Sequence, residues 1–411
     1  MKPTSALRYL AYISCCVFAV SIPFNFSLKN LSLNTPLIKN SLMLEAALTI
    51  VLWEFVVLLE RRFEIREKFL ILPVFAFFLI HIFSSVIPSE RMVWSLKYTF
   101  RFFSLGLIAF AVMNFVDTEK RLKVLMRSLF AGGVLASFFV IIHYFRNDAL
   151  IGLQRFFDDA AVNPRRIRGL FGWPTNMSVY FGTLLPLAVS HLMYKTGMRI
   201  GEKIAYFIIA LLFLLCMILS GARGWVGGAF CALGVFGAIH LIKKENYRAI
   251  WISVAAILII MLLFASGLFG LRDLAFSKLE PTETARIGYF GSALRYIKQY
   301  PFRGIGADML YWKTNPQFRS HNILLEIQAT LGFFGFLTLL WLFGALFWYL
   351  FKGIFRYPGI NRSYVQIGVL ASLASYLGHN QVDCFWQLHE IAGLFWVMVG
   401  IGMASNYCET N

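Results

Sequence analysis

Runs of about 18 or more apolar residues recur along the whole 411-residue chain. A helix that crosses the hydrocarbon core of a bilayer needs about 20 such residues, with all its backbone groups bonded internally. The pattern therefore predicts an all-α polytopic membrane protein, with residues 1–411 forming a single integral membrane domain. The twelve predicted spans are 7–26, 41–59, 69–87, 93–115, 124–144, 174–194, 204–220, 225–242, 249–270, 329–351, 364–378 and 389–405.

The distribution of Lys and Arg separates the loops into two sets. Loops near residues 61–68, 120–127, 195–203, 243–248 and 352–362 are compact and each carries at least three basic residues. The short loops on the opposite side, near 27–40, 88–92 and 379–388, are poor in them. Because Lys and Arg accumulate in cytoplasmic loops, we assign the first set, and both termini, to the cytoplasm.

Two longer segments on the outer side are basic in spite of this rule. Residues 145–173 carry five arginines, and residues 271–328 carry eight Lys and Arg residues. One explanation is that long loops are translocated whatever their charge. The alternative is an anionic substrate at the outer face, because the planar guanidinium of Arg binds phosphate oxygens in pairs and stays protonated.

The net charge of +17 does not indicate a nucleic-acid partner. Topology and attraction to anionic lipid surfaces explain much of it, and the sequence has no recognisable nucleic-acid-binding module. The sequence also lacks a nucleotide-binding Gly-rich loop and a Cys-x-x-Cys pair, so no cofactor is expected. Of six cysteines only Cys384 is predicted to lie outside, and we expect no structural disulfide.

Three residues on the outer side are the first candidates for chemistry. Arg223 lies between two spans joined by almost no loop, at the membrane boundary, where a cation is costly unless it is paired or faces a polar cavity. Arg286 begins an amphipathic stretch that Pro301 ends, and this stretch could lie flat on the membrane with Tyr289 in the interface. His321 lies where the long outer loop turns into the tenth span, where a neutral imidazole could accept a proton from a hydroxyl. A helix-capping or interfacial histidine is the alternative.

A basic pair in the fourth span is a second candidate. Lys97 and Arg101 are four residues apart and share a helix face, and Glu45 lies at similar depth in the second span. A Glu45–Lys97 charge pair between helices is the simpler interpretation. The alternative is that Arg101 lines the outer cavity and helps to hold phosphate.

The last outer loop offers a rival arrangement. His379 and Asp383 would be neighbours on a helix and could bind a metal ion. The adjacent Phe385 and Trp386 favour an interfacial re-entry instead, and Asp383 could also orient a catalytic group by hydrogen bonding.

Four pieces of the chain, taken in order, resemble the bacterial O-antigen ligase family, which includes some polysaccharide polymerases and protein O-oligosaccharyltransferases. They are Arg168-Gly-Leu-Phe-Gly-Trp-Pro-Thr-Asn176, Ser220-Gly-Ala-Arg-Gly224, Arg286 followed by Pro301 and Gly304-Ile-Gly306, and His321-Asn322 with Gly332. The second piece departs from the family's Ser-Arg-Gly pattern by an inserted Gly-Ala. Together the pieces cover roughly residues 165–335, and the other spans match in number and hydrophobicity alone.

The resemblance implies a GT-C-like membrane enzyme of the bacterial inner membrane. Such a ligase moves O-antigen polysaccharide from undecaprenyl diphosphate to a sugar of the lipid A–core, so its partners would be this donor, this acceptor and membrane lipids. Its active site would face the periplasm, and segments 145–173 and 271–328 would form it.

Residue roles follow from the same resemblance. His321 would be the general base, and Arg223 and Arg286 would hold the diphosphate and stabilise its growing charge. Arg168, Arg303, Arg101 and Asp383 are further candidates for substrate contact or positioning. A single displacement would invert the anomeric configuration, and the arginines would replace a divalent metal ion.

Two other functions stay open at this stage. A polymerase of the same family would use nearly the same chemistry with a different acceptor. A flippase or transporter of lipid-linked glycans also fits twelve spans, although the chain shows no matching halves or paired broken helices.

Overall fold

The computed structural model describes residues 3–28, 41–60, 68–145, 167–243, 280–314, 319–356, 363–386 and 388–408. These residues form thirteen α-helices and contain no strand, which confirms the predicted all-α class. In chain order the helices are α1 (Pro3–Leu28), α2 (Ser41–Glu60), α3 (Lys68–Val86), α4 (Met92–Phe115), α5 (Glu119–Phe145), α6 (Pro174–Tyr194), α7 (Ile200–Leu219), α8 (Gly224–Lys243), α9 (Glu280–Gln299), α10 (Leu310–Lys313), α11 (Ile323–Arg356), α12 (Ser363–His379) and α13 (His389–Ala404).

Nine helices in the described part of the chain, α1 to α8 and α11, are long and apolar enough to cross a membrane. Together with the shorter α12 and α13 they correspond to eleven of the predicted spans. The remaining predicted span, 249–270, lies outside the described residues, as do residues 146–166, 271–279 and 315–318 of the two predicted outer segments.

The two shortest span-like helices are buried within the bundle. α12 has 17 residues and α13 has 16, and nearly all their described side chains are buried. α12 packs against α6 and α8, and α13 against α4. Small residues allow close approach: Ser375 donates to the carbonyl of Gly182 at 2.8 Å. Because protein surrounds these helices, they need not match the full thickness of the bilayer.

α11 begins earlier than the predicted 329–351 span and is divided by a break. Gly332 has φ of 73° and ψ of −170°, so a short piece, 323–331, precedes the long piece, 333–356. Phe333 N donates to the carbonyl of Pro301 at 2.8 Å, and Gly306 N donates to that of Thr330 at 3.0 Å. The turn after α9 therefore docks, backbone to backbone, on the break in α11.

A small second core joins the outer elements to this break. Its buried members are Ala293 of α9, Ile305, Met309, Leu310 and Ala329 of α11. The amphipathic stretch predicted after Arg286 is thus a helix, α9, whose apolar face packs on protein. It ends at Gln299, directly before Tyr300 and Pro301.

Contacts between loops gather the predicted outer segments at one end of the bundle. Trp94, at the start of α4, donates to Asp308 at 2.9 Å, and Asn322 donates to Gln381 at 3.1 Å. This end of the bundle holds the candidate site.

Candidate active site

His321 and Asp383 form a hydrogen-bonded pair. His321 Nδ1 lies 2.8 Å from Asp383 Oδ1. The carboxylate is almost fully buried, whereas about a third of the imidazole is exposed, at 32% of its side-chain area. A carboxylate at Nδ1 favours the tautomer whose Nε2 has an open lone pair. The arrangement can therefore hold a base whose second nitrogen is available to a substrate.

The backbone at His321 is held in an unusual conformation. Its φ is 54°, in the left-handed region that non-glycine residues seldom occupy. The flanking residues fix it: Ser320 N donates to Glu326 at 2.8 Å, and Asn322 caps α11 by accepting from Leu325 N at 3.0 Å. Such strain persists only where the surroundings impose it, and it is common at functional sites.

Tyr289 of α9 covers one face of the imidazole. The two rings stack with centroids 5.1 Å apart and an interplanar angle of 22°. Sequence reasoning assigned Tyr289 to the membrane interface, but the structure packs it against His321.

Arg223 occupies the tight connection between α7 and α8. Gly221, with φ of 58°, turns the chain after α7, and Ser220 Oγ accepts from Ala222 N at 3.1 Å. The carbonyl of Arg223 accepts from Val226 N at 3.1 Å, so Arg223 caps α8. Its side chain is exposed.

Arg286 lies in the first half of α9, three residues before Tyr289. Residues three apart on a helix are neighbours along its surface. The backbone of Arg286 is therefore one turn from the residue that covers His321, while its side chain lies outside the described part of the chain.

The lesser arginine candidates occupy different surroundings. Arg168 is buried and donates to the carbonyl of Gly172 at 3.3 Å, bracing the turn that leads into α6. Arg303 is exposed and lies over the ring of Tyr300, 5.0 Å from its centroid. Arg101 is exposed on α4. Their roles as phosphate contacts stay predictions.

The suggested Glu45–Lys97 pair is wrong. Glu45 accepts a hydrogen bond from Ser21 of α1, and Lys97 is exposed on α4. A neighbouring hydroxyl on α1 can satisfy the carboxyl group, so no charge pair is needed to hold these helices together.

The side chains of His379 and Asp383 have different partners, so they do not form the suggested metal pair. The imidazole of His379 is buried edge-to-face against Phe385, with centroids 5.1 Å apart, while Asp383 turns to His321. Trp386 is buried rather than interfacial. Within the described residues, no three His, Cys, Asp or Glu side chains gather as a metal site would require.

An ion-pair network that the sequence did not reveal supports the segment before His321. Arg319 lies 2.7 Å from Asp308 and 4.0 Å from Glu326, both of which are buried. Burial raises the pKa of Asp308, and the nearby Arg319 opposes this shift. Trp94 binds the other oxygen of Asp308. No local sequence pattern predicts this network, because it includes contacts between residues far apart in the chain, such as Trp94 and Asp308.

Comparison with known proteins finds a family similarity over part of the chain. Residues 208–340 match the family described as O-Antigen ligase. Over these residues the chain is similar to the O-antigen ligase family. The resemblance found in the sequence is confirmed, and the matched region includes Arg223, Arg286 and His321, whereas Asp383, Arg168 and Arg101 lie outside it.

A weaker similarity reaches a second kind of polymer. Over 213 residues the chain is 26% identical to the teichuronic acid biosynthesis protein TuaE of Bacillus subtilis (strain 168). The match covers 46% of this chain and 43% of TuaE, so it spans less than half of that relative. Ligase- and polymerase-like glycosyl transferases of polysaccharide biosynthesis make up this family.

Proposed function

We propose that the protein is an O-antigen ligase that transfers a polysaccharide from undecaprenyl diphosphate to a lipid A–core acceptor. The observation that carries the proposal is the bond from His321 to buried Asp383, 2.8 Å long, on a partly exposed imidazole. This is the arrangement expected of an oriented general base.

The base acts on the acceptor. Nε2 of His321 takes the proton of an acceptor hydroxyl as that oxygen attacks the anomeric carbon of the donor sugar. Asp383 accepts the Nδ1 proton and stabilises the imidazolium that forms. The bond between the anomeric carbon and the phosphate oxygen breaks, and undecaprenyl diphosphate leaves with the bonding electrons. One displacement inverts the anomeric configuration.

Charge on the leaving group is the second requirement. In this proposal Arg223, which is exposed in the α7–α8 connection, binds the diphosphate together with Arg286 of α9. Fixed cations in a water-poor site can contribute several kcal/mol to such a step. A diphosphate is already a good leaving group, so the proposal needs neither a nucleotide nor a metal ion.

Location follows from the distribution of charge. The cytoplasmic assignment of the short basic loops puts the His321 end of the bundle on the periplasmic side of the inner membrane. There the lipid-linked donor and the lipid A–core would both have their reactive sugars, and membrane lipids would surround the helices.

Polymerisation is the second candidate. The relative TuaE is named for teichuronic acid biosynthesis, which indicates that similar chains act in the synthesis of other polymers. In a polymerase the acceptor hydroxyl would belong to another lipid-linked repeat, and His321 would have the same task.

The test is lipopolysaccharide gel profiling in a host that lacks its ligase and accumulates lipid-linked O-antigen. Complementation with this chain should restore a long ladder on lipid A–core, and His321→Ala at equal expression should not. Lengthening of the lipid-linked pool without a ladder would favour the polymerase. If neither pool changes in this host, the gene should be deleted in the native host, where the acceptor is matched. No change in either pool there would count against both the ligase and the polymerase.

A further inference from the structure

The five residues His379-Asn-Gln-Val-Asp383 contact both halves of the candidate site. On one side Asp383 holds His321, and Gln381 accepts from the side chain of Asn322 at 3.1 Å. The carbonyl of Asn380 accepts from Ile323 N at 2.9 Å. Three consecutive residues, 321–323, are therefore tied to this one segment.

On the other side the segment packs against the connection that carries Arg223. A Cβ placed on Gly224 would lie 2.5 Å from Nε2 and 2.6 Å from Cδ2 of His379, and 3.0 Å from Cγ2 of Val382. The edge of the buried imidazole thus lies directly on the backbone of the residue after Arg223. Only glycine leaves room for this contact.

The backbone of His379 completes the connection. Its carbonyl accepts from Val382 N at 3.1 Å and from Asp383 N at 3.2 Å, and so sets the turn that presents Asp383 to His321. Asn380 stiffens the same turn by accepting from Phe385 N at 2.8 Å and donating to the carbonyl of Tyr376 at 2.8 Å. One residue therefore contacts the Arg223 connection through its ring and the Asp383 turn through its carbonyl.

We propose that His379 is a positioning residue that sets the separation between Arg223 and the His321–Asp383 pair. The inference rests on the proposed function, in which Arg223 binds the leaving diphosphate and His321 activates the acceptor. Both groups must act on one anomeric carbon, and a displacement of about 1 Å can cost on the order of 100-fold in rate. His379 contacts no substrate in this scheme and acts through its two neighbours.

The steric contact allows a compensation test. Gly224→Ala drives a methyl group into His379, and His379→Ala removes the ring. Each single variant should lose on the order of 10-fold to 100-fold in kcat. The double variant should recover much of that loss, because the methyl group then occupies the vacated space. Gly234→Ala, in the same helix with nothing within 4 Å of its new Cβ, is the matched control and should keep wild-type activity.

Three further measurements separate positioning from folding and from the proposed function. Unfolding temperatures in detergent should be similar for the double variant and the wild type, and His379→Phe, which keeps a ring, should retain more activity than His379→Ala. Binding of undecaprenyl diphosphate alone, followed by tryptophan fluorescence, reports on Arg223 without any turnover. Gly224→Ala should weaken it about 10-fold, and the double variant should restore it.

Losses that multiply in the double variant, or activity that falls only in step with unfolding, would overturn the inference. So would equal diphosphate binding by wild type and Gly224→Ala. If the affinities of the wild type and the variants for undecaprenyl diphosphate follow the expected order but the wild type transfers no glycan, the result would count against the proposed function alone.

Discussion

His321 and Asp383 lie 62 residues apart in the chain and are joined by a hydrogen bond of 2.8 Å. The bond connects the segment before α11 to the turn after α12, so the proposed base is oriented by a different part of the bundle from the one that carries it. Its consequence for catalysis can be measured directly.

Replacing Asp383 with Asn should lower kcat by about 10²-fold to 10⁴-fold with little change in KM, because an amide cannot stabilise the imidazolium and can favour the wrong tautomer. Steady-state transfer assays on purified protein would measure this. Asp117→Asn is the matched control, since Asp117 pairs with Arg121 at 2.9 Å at the opposite end of the bundle. Equal losses in both variants would contradict a specific role for Asp383.

Gly332→Ala should destabilise the protein by about 2–4 kcal/mol. The break in α11 has φ of 73°, and a new methyl group would overlap the carbonyl oxygen of Phe302. Gly344→Ala, in the same helix with open space around its Cβ, should have little effect or stabilise slightly. Thermal unfolding in detergent would compare them, and a similar change in both would contradict the docking of the 301–306 turn.

Hydropathy predicted the span-like helices well, because a bilayer demands long apolar runs. It placed the start of the tenth span too late, since residues 323–331 include Glu326 and precede a glycine break. That carboxylate is tolerated because Ser320 N and Arg319 satisfy it, which are contacts that no periodicity reveals.

Local chemistry was enough to select Arg223 and His321 as candidates, because the sequence places this cation and this base beside predicted membrane boundaries. Their partners were harder to find. Asp383 was one option among several. A metal site at His379 was the less favoured option, and Tyr289 was expected at the membrane interface, because the contacts with Gly224 and His321 arise only in the tertiary fold.

Arg319→Met should cost about 3–5 kcal/mol of stability, since it leaves the buried carboxyls of Asp308 and Glu326 without their cation. Arg295→Met, on an exposed position of α9, should stay within about 0.5 kcal/mol. Unfolding temperatures across pH would measure both.

The pH dependence of the Arg319→Met variant has a defined sign. Burial raises the pKa of Asp308, and the loss of Arg319 removes an interaction that lowers it. A group with a raised pKa in the folded state contributes stability below its unfolded pKa and loses it as pH rises through the folded value. The defect should therefore shrink as pH falls toward the ordinary range of Asp, and a defect that grows instead would contradict this assignment.

Transfer should survive removal of divalent cations. In the proposed mechanism Arg223 and Arg286 neutralise the leaving diphosphate, so enzyme treated with EDTA should keep its rate, and added Mg²⁺ or Mn²⁺ should not raise it. Assays before and after chelation, with the same donor preparation, would test this. Loss of activity that Mg²⁺ restores would mean that a metal ion shares the charge stabilisation.

The stacking of Tyr289 on His321, with ring centroids 5.1 Å apart, connects α9 to the proposed base. Tyr289→Phe keeps the ring and should keep near-wild-type kcat, because the stack does not require the hydroxyl. Tyr289→Ala should lower kcat by about 10-fold, since it removes the surface that holds the imidazole in one orientation. Tyr296→Phe, also on α9, is the matched control. It removes only the hydroxyl that donates to the carbonyl of Lys313 at 3.0 Å. Tyr296→Phe should lower the unfolding temperature slightly and leave kcat unchanged. If Tyr296→Phe instead lowers kcat as much as Tyr289→Ala does, the rate depends on the general stability of α9 and not on the stack.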